Sequence, residues 1–208
     1  MPFDGFFTHA MVHELNQTLQ GGRVSKVNQP YPAEMVMVIR ANRHNYSLLI
    51  SANPSYPRIQ ITQIPYQNPA VPSNFAMTMR KYLEGALVKE VAQIENDRIV
   101  KLTFSTLDEL GDPLELVMMV EIMALVNAKT GKIIDAIKHV GSDVNRVRLL
   151  LPGAAFIMPP KQPRFNPYLP NQIYSDLVRE LKDDPIQLAK KLQASYQGLA
   201  PETASELA

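Results

Sequence analysis

The sequence predicts an α+β fold: a two-sheet β-sandwich or flattened barrel with flanking helices, followed by a helix–hairpin–helix segment. Three features of the 208 residues carry that expectation. Runs with a two-residue period dominate most of the chain up to residue 152, as half-buried strands require. Several of them, such as LVMMVEIM (116–123), are apolar at successive positions and need cover on both faces. From residue 152 the composition turns proline-rich, and the pattern beyond is helical.

The first element, DGFFTHAMVHELNQTLQGGRV (4–24), reads as a helix. Phe7, Met11, Leu15 and Leu19 recur every four residues, with Phe6 and Ala10 beside them. Asp4 supplies an N-cap, and Gly21-Gly22 accepts the left-handed stop. The runs RVSKVNQP, EMVMVIRA, NYSLLISA and RIQITQ then alternate as successive strands. Prolines 30, 32, 54 and 57 fall at their ends and connections, where a missing N–H does no harm to a sheet. SNFAMTMRKYLEGA (73–86) is a second helix, capped by Ser73 or Asn74, with Phe75, Met79, Tyr82 and Leu83 on its apolar face. Strands resume with LVKEVAQIE, RIVKLTFS, LELVMMVEIM, KIIDAIKHV and VRLLLPG, and the acidic loop LDELGDP (107–113) joins two of them.

Residues 152–170 hold six prolines in nineteen positions, which reads as a semi-rigid linker and a domain boundary. The expected division is a β-rich domain over 1–151, the linker over 152–170, and the start of a helix–hairpin–helix domain over 171–208. In that last part Asp184 caps a helix with Pro185 at its first position, and Leu188, Leu192 and Tyr196 form one face beside Ala189. Gly198-Leu199-Ala200 is a tight turn, and Pro201 opens another helix with few residues left, as in a domain that continues.

Composition narrows the function classes. Hydrophobic residues make up 46%, enough for a real core, and the formal charge is +1, so no global basic field points to nucleic acid. The balance is uneven: residues 1–169 hold 17 Lys+Arg against 14 Asp+Glu, whereas 170–208 hold 4 against 6. The chain has no cysteine, which excludes disulfides, cysteine-ligated zinc and thiol nucleophiles. No apolar run approaches the ~20 residues of a membrane helix. MPFDGFF lacks the basic and apolar regions of a signal peptide, so a cytoplasmic protein is expected, and surface display would need a route the sequence does not show.

Four groups of residues are candidates for chemistry. His9 and His13 stand four apart on the first helix, the spacing of two zinc ligands, but with no glutamate between them and no evident third ligand; they read as ordinary helix histidines, and no metal or cofactor is expected. Pro2 would be a terminal secondary amine after loss of Met1, the nucleophile of a glycosylase, yet Phe3 follows it where an acid is needed. Arg40, Asn42, Arg43, His44 and Asn45 crowd one turn, Arg80-Lys81 lies on the second helix, and Arg146 and Arg148 on a late strand; each is either a solvated surface or part of a phosphate-contacting patch. Asp97-Arg98, in QIENDRIVKLTF, is either a capped hairpin turn or a tip that reads phosphate or a base.

FDGFFTHAMVHELNQTLQGGRVSKVNQPY, IRANRHNYSLLISANPSYPRIQIT, PSNFAMTMRKYLEGA, ENDRIV, LDELGD, VEIM, KIIDAIKHV and LPGAAFIMPPKQPRFNP together resemble the NFACT family, also called the FbpA/RqcH/NEMF family, in order and over nearly the whole chain. The wording is closest to Firmicute members named fibronectin/fibrinogen-binding proteins. The resemblance implies an N-terminal domain similar to that of formamidopyrimidine-DNA glycosylases, then a helix–hairpin–helix domain. It implies a non-enzymatic role in ribosome-associated quality control: binding a blocked large ribosomal subunit and recruiting tRNA, of alanine type, for untemplated alanine tailing. The family's Asp-Arg motif falls on Asp97 and Arg98, and its Glu-Ile-Met motif on Glu121, Ile122 and Met123, both associated with tRNA recruitment; Ile122 or Met123 equally suits the core. The glycosylase chemistry is not implied, since its catalytic glutamate and cysteine zinc finger have no counterpart. The sequence departs from the family after Met123, where a basic Gly-Arg/Lys-His-Ser-Asn turn of about half a dozen residues is absent. Two other readings remain beside the tRNA one: an adhesin module for fibronectin or fibrinogen, and, last, a glycosylase-like enzyme.

Overall fold

Helix α1 (Gly5–Leu19) begins where Asp4 Oδ1 accepts the Phe7 amide at 2.9 Å, and the chain leaves it through Gly21 at φ +77°. The computed structural model describes residues 3–121, 123–145, 148–161 and 163–208. Strands β1 (Arg23–Tyr31), β2 (Glu34–Ala41), β3 (His44–Ser51) and β4 (Arg58–Thr62) follow as an antiparallel meander. Helix α2 (Asn74–Leu83) is capped by Ser73 Oγ, which accepts the Ala76 amide at 3.0 Å, and buries Phe75, Ala76, Met79 and Leu83. Strands β5 (Leu87–Gln93), β6 (Val100–Leu107), β7 (Pro113–Met119), β8 (Ala124–Asn127) and β9 (Ile133–Ala136) complete the sheet, and α3 (Ile173–Leu181), α4 (Pro185–Ser195) and α5 (Pro201–Leu207) end the chain. Among the described residues no helix is long and apolar enough to cross a membrane.

The expected pair of sheets, or flattened barrel, is corrected by a single sheet. All nine strands lie in one hydrogen-bonded order, β4-β3-β2-β1-β5-β6-β7-β8-β9, and the sheet does not close. Both of its faces are nevertheless buried. Leu102, Phe104, Leu116, Met118 and Leu125 share one face by register, and Thr103, Met119, Ala124, Val126 and Ile133 share the other. The apolar runs that suggested two sheets come from the curl of one. Helix α2 touches β1, β6 and β9, strands at the middle and one end of the order, so the twisted sheet bends around it.

Three elements differ from the expected ones. LELVMMVEIM ends its strand at Met119, within β7, and Val120, Glu121 and Met123 fall in the tight connection to β8, with Met119 paired to Ala124 and the Met123 amide donating to the Val120 carbonyl at 3.3 Å. KIIDAIKHV contributes only Ile133–Ala136, and of VRLLLPG the described part gives one isolated bridge, Leu150 to Val140. Helix α3 was not foreseen, because the prolines before it hide a pattern of Ile173, Leu177, Val178 and Leu181.

The chain forms two compact units. One comprises Met11–Ala92 and Ile99–Met158 and holds the sheet and α2. Within it α1 is fastened by Asn16, whose Oδ1 accepts the Val91 amide at 2.8 Å, and by Leu15 and Leu19, both fully buried. The other unit comprises Met1–Ala10, Gln93–Arg98 and Pro159–Ala208. Its core is Leu188, Leu192, Tyr196 and Leu199, with Phe6 and the apolar stripe of α3 packed against them. Asp184 caps α4 by accepting the Gln187 amide at 3.0 Å.

Candidate nucleic-acid interface

Asp97 and Arg98 lie between β5 and β6, in a segment that belongs to the helical unit. Asn96, just before them, is fully buried, and its Nδ2 donates to the Gln197 carbonyl at 2.8 Å. The Asn96 carbonyl lies against Gly5 and Gly198 so closely that a Cβ at either glycine would stand 2.0 Å from it. The Gly5 amide donates to the Gly198 carbonyl at 2.9 Å, which closes this three-way backbone contact. Gln93 adds a second clamp: its Nε2 donates to the Gly5 and Asp97 carbonyls, each at 2.8 Å. Glu95, at φ +53°, bonds Lys161 Nζ at 2.7 Å and Gln197 Nε2 at 3.0 Å, and these bonds hold its carboxyl below the ordinary 4.5.

The tip itself is half answered by this geometry. Asp97 Oδ1 accepts the Arg98 amide at 2.7 Å, so the carboxylate does shape the turn. The Arg98 side chain is exposed and has no hydrogen bond or ion pair among the described residues. Beside it in the same unit, His9 Nδ1 lies 3.2 Å from Gln93 Oε1, and its ring stacks on Tyr168 at 4.1 Å. Burial, with the nearby Asp4 charge, raises the Tyr168 phenol above its usual range. His13 turns to Gln17 at 3.0 Å, and no group of three or more His, Cys, Asp or Glu among the described residues is placed to hold a metal ion.

The other predicted residues belong to the sheet unit and have different fates. Arg80 is committed inward: Nε donates to the Val27 carbonyl at 2.8 Å and Nη2 to Asn28 Oδ1 at 3.1 Å, tying α2 to β1. Lys81 pairs with Glu109 at 2.6 Å, which raises its pKa. Arg40 donates to Asn45 Oδ1 at 3.3 Å, and Arg43 is exposed. Asn42 and Arg43 form a two-residue hairpin loop with φ +49° and +66°.

Glu121 accepts a fork from Arg148, at 3.0 and 3.3 Å, while Arg148 Nε donates to the Ile157 carbonyl at 2.9 Å and the guanidinium lies 5.5 Å from the Phe156 ring centroid. Met123 is fully buried, at φ +48°, so its side chain offers no exposed surface. Pro2, Ile122 and Arg146 lie outside the described residues.

A family model described as the NFACT N-terminal and middle domains matches residues 4–208. The chain belongs to the NFACT family. The Rqc2 homolog RqcH of Streptococcus pneumoniae is 45% identical over 213 positions, which take in 100% of this chain and 38% of that relative. The Rqc2 homolog RqcH of Bacillus subtilis is 37% identical over 212 positions, 99% of this chain and 37% of that one. This NFACT chain therefore spans less than two fifths of the length of these relatives. The crystal structure of the N-terminal domain of the fibronectin-binding protein PavA from Streptococcus pneumoniae matches with a TM-score of 0.89 at 44% identity, over 99% of this chain and 82% of that one.

Against the pneumococcal RqcH, at least five positions have no counterpart in this NFACT chain, since the alignment is longer than its 208 residues. The β7–β8 connection is where the sequence marks a shortened turn, and the ladder there closes cleanly from Met119 to Ala124. Sequence reasoning missed Asn96, Gln93, Gly5 and Gly198, which hold the NFACT Asp-Arg segment in place. No local signal marked them, since asparagine is usually exposed and only the fold buries Asn96. The partnership of Arg148 with Glu121 had no signal, because the two stand 27 residues apart.

Proposed function

We propose that this chain is the tRNA-contacting part of a ribosome quality-control factor, with Arg98 as its leading contact and Asp97 as the residue that sets its backbone. The observation that carries this reading is an exposed guanidinium, without a partner among the described residues, on a backbone held by a fully buried Asn96 and by Gln93. A side chain kept free on a fixed platform binds with little ordering cost, and a guanidinium matches a phosphate or a guanine edge. The relatives named as Rqc2 homologs support the cellular setting. In that setting the factor works in the cytoplasm at a stalled large ribosomal subunit and helps bring alanine-type tRNA for untemplated tailing. This chain has no catalytic step of its own, bond formation belonging to the ribosome. The turn between α4 and α5, through Gly198 at φ +71°, suits a helix–hairpin–helix segment.

The test is tRNA binding by fluorescence anisotropy at two salt concentrations, with the Asp97→Ala/Arg98→Ala variant alongside. Loss of binding in a variant that keeps its circular dichroism supports the reading. Equal binding by both proteins refutes the role of the tip. A second reading rests on the solved neighbour named fibronectin-binding: an adhesin module for fibronectin or fibrinogen. Fibronectin affinity that is insensitive to salt, with no tRNA affinity, would favour it.

A further inference from the structure

We infer that the outward face of strands β1–β3 is a second RNA contact, a track for the phosphate backbone formed by Arg23, Lys26, Arg40 and Arg43. The inference rests on the tRNA reading above and adds a separate surface to it. Residues 23–62 contain five Lys/Arg and a single acid, Glu34. Glu34 is taken by Arg58 at 3.2 Å, at the other end of these strands, where Glu34 faces Ser51 and Ser51 faces Arg58. The four remaining cations make no ion pair among the described residues, and all four are exposed.

The strand register gathers them. Arg23 stands directly opposite Arg40, and Arg40 directly opposite Asn45. Lys26 stands opposite Val38, two residues from Arg40 and so on the same face. A regular strand would send Lys26 to the other face from Arg23, three residues away. The register shift at Ser25 inserts the extra residue that turns it back. The opposite face, with Val24, Val27, Met37 and Ile39, is buried.

Two guanidinium groups placed directly across a ladder repel, and among the described residues no ion pair offsets them; the carboxylate that reaches β1, Glu84, accepts the Val27 amide at 2.9 Å. Arg23 donates to the Gly85 carbonyl and Arg40 to Asn45 Oδ1, both neutral acceptors. Arg43 occupies the second position of a hairpin loop at φ +66°, where glycine is usual, and its side chain has no partner among the described residues. Uncompensated charge and a strained arginine at one end of one face point to an anionic partner. The neighbouring positions on that face, Asn45 and Ser47, are small and polar. Such a surface suits phosphates, which position a nucleic acid, and lacks the stacking aromatics that read bases.

The experiment uses Lys26→Gln/Arg40→Gln/Arg43→Gln, which spares Arg23 because of its bond to the backbone. Affinity for tRNA is measured by anisotropy over a salt series, beside the parent and Asp97→Ala/Arg98→Ala. Each lost phosphate contact removes about 0.7–0.9 from the slope of log K against log salt. The triple variant should lose roughly two to three units of slope, and its affinity should fall at least ~tenfold at moderate salt. The charge reversal Lys26→Glu, a single exposed change, should move in the same direction.

An unchanged slope in both basic-face variants overturns the track, while loss of binding in the Asp97/Arg98 variant would leave the tip reading standing. The reverse pattern, a reduced slope with an inert tip, keeps the track and removes the tip. A parent without tRNA affinity, or basic-face variants that lose only fibronectin binding, overturns RNA as the occupant.

Discussion

Replacing Gly198 with alanine is expected to release the segment that presents Arg98. Two costs add at this position. The backbone stands at φ +71°, where an L side chain costs ~1–2 kcal/mol. The new Cβ would also lie 2.0 Å from the Asn96 carbonyl oxygen and 2.8 Å from Gly5 Cα. Both are backbone atoms and cannot swing aside, and relieving such overpacking costs about 1–3 kcal/mol. The sum is roughly 2–5 kcal/mol, a large share of a domain's stability. Two other variants separate the terms. Gly153→Ala meets φ +84° with nothing within 4 Å, and isolates the conformational cost. Gly5→Ala meets the same 2.0 Å approach to the Asn96 carbonyl without a positive φ, and isolates the clash. Urea unfolding with linear extrapolation gives the stabilities. Exchange of the Gly5 amide, bonded to the Gly198 carbonyl at 2.9 Å, reports opening of this contact specifically. If Gly198→Ala costs no more than Gly153→Ala and the Gly5 amide stays protected, the close approach is not what holds the segment.

Two further outcomes are expected. Arg148→Lys keeps the charge but loses the fork to Glu121 and the Nε bond to Ile157, so it should destabilise the sheet unit by about 1 kcal/mol in urea unfolding, a loss Lys would not show if only charge mattered. Glu95 has a folded-state pKa below its unfolded value because Lys161 and Gln197 bond its carboxylate, so its contribution is present above the ordinary 4.5 and is lost as pH falls through the folded value. The parent should therefore lose more stability than Glu95→Gln on that acidic limb; because the pair is partly exposed the difference is small and shrinks with salt, and parallel pH profiles would contradict it.

Much of this molecule is written in local pattern. The caps at Asp4, Ser73 and Asp184, the glycine stop after α1 and the alternation of β1 to β4 follow from neighbouring residues alone, because hydrogen bonds to a helix end and the two-residue pleat are short-range physics. The order of the NFACT motifs was equally local, and it placed the chain in its family. The number of sheets was not legible, since a run apolar on both faces reads the same whether a second sheet or the curl of the first covers it.

The site divides along the same line. The sequence by itself marked Asp97 and Arg98 as an acid and a base at a turn and Arg40, Arg80 and Lys81 as either solvated charges or phosphate contacts, while Glu121 came from the family resemblance. Tertiary structure decided which of them are spent. Arg80 is bonded to β1, Lys81 to Glu109 and Glu121 to Arg148, whereas the exposed Arg98 side chain has no partner among the described residues. It also decided that Arg23 and Lys26 share a face with Arg40, through one inserted residue at Ser25. The availability of a charge depends on partners brought near by the fold, some of them dozens of residues away along the chain, and no window of sequence contains that distance.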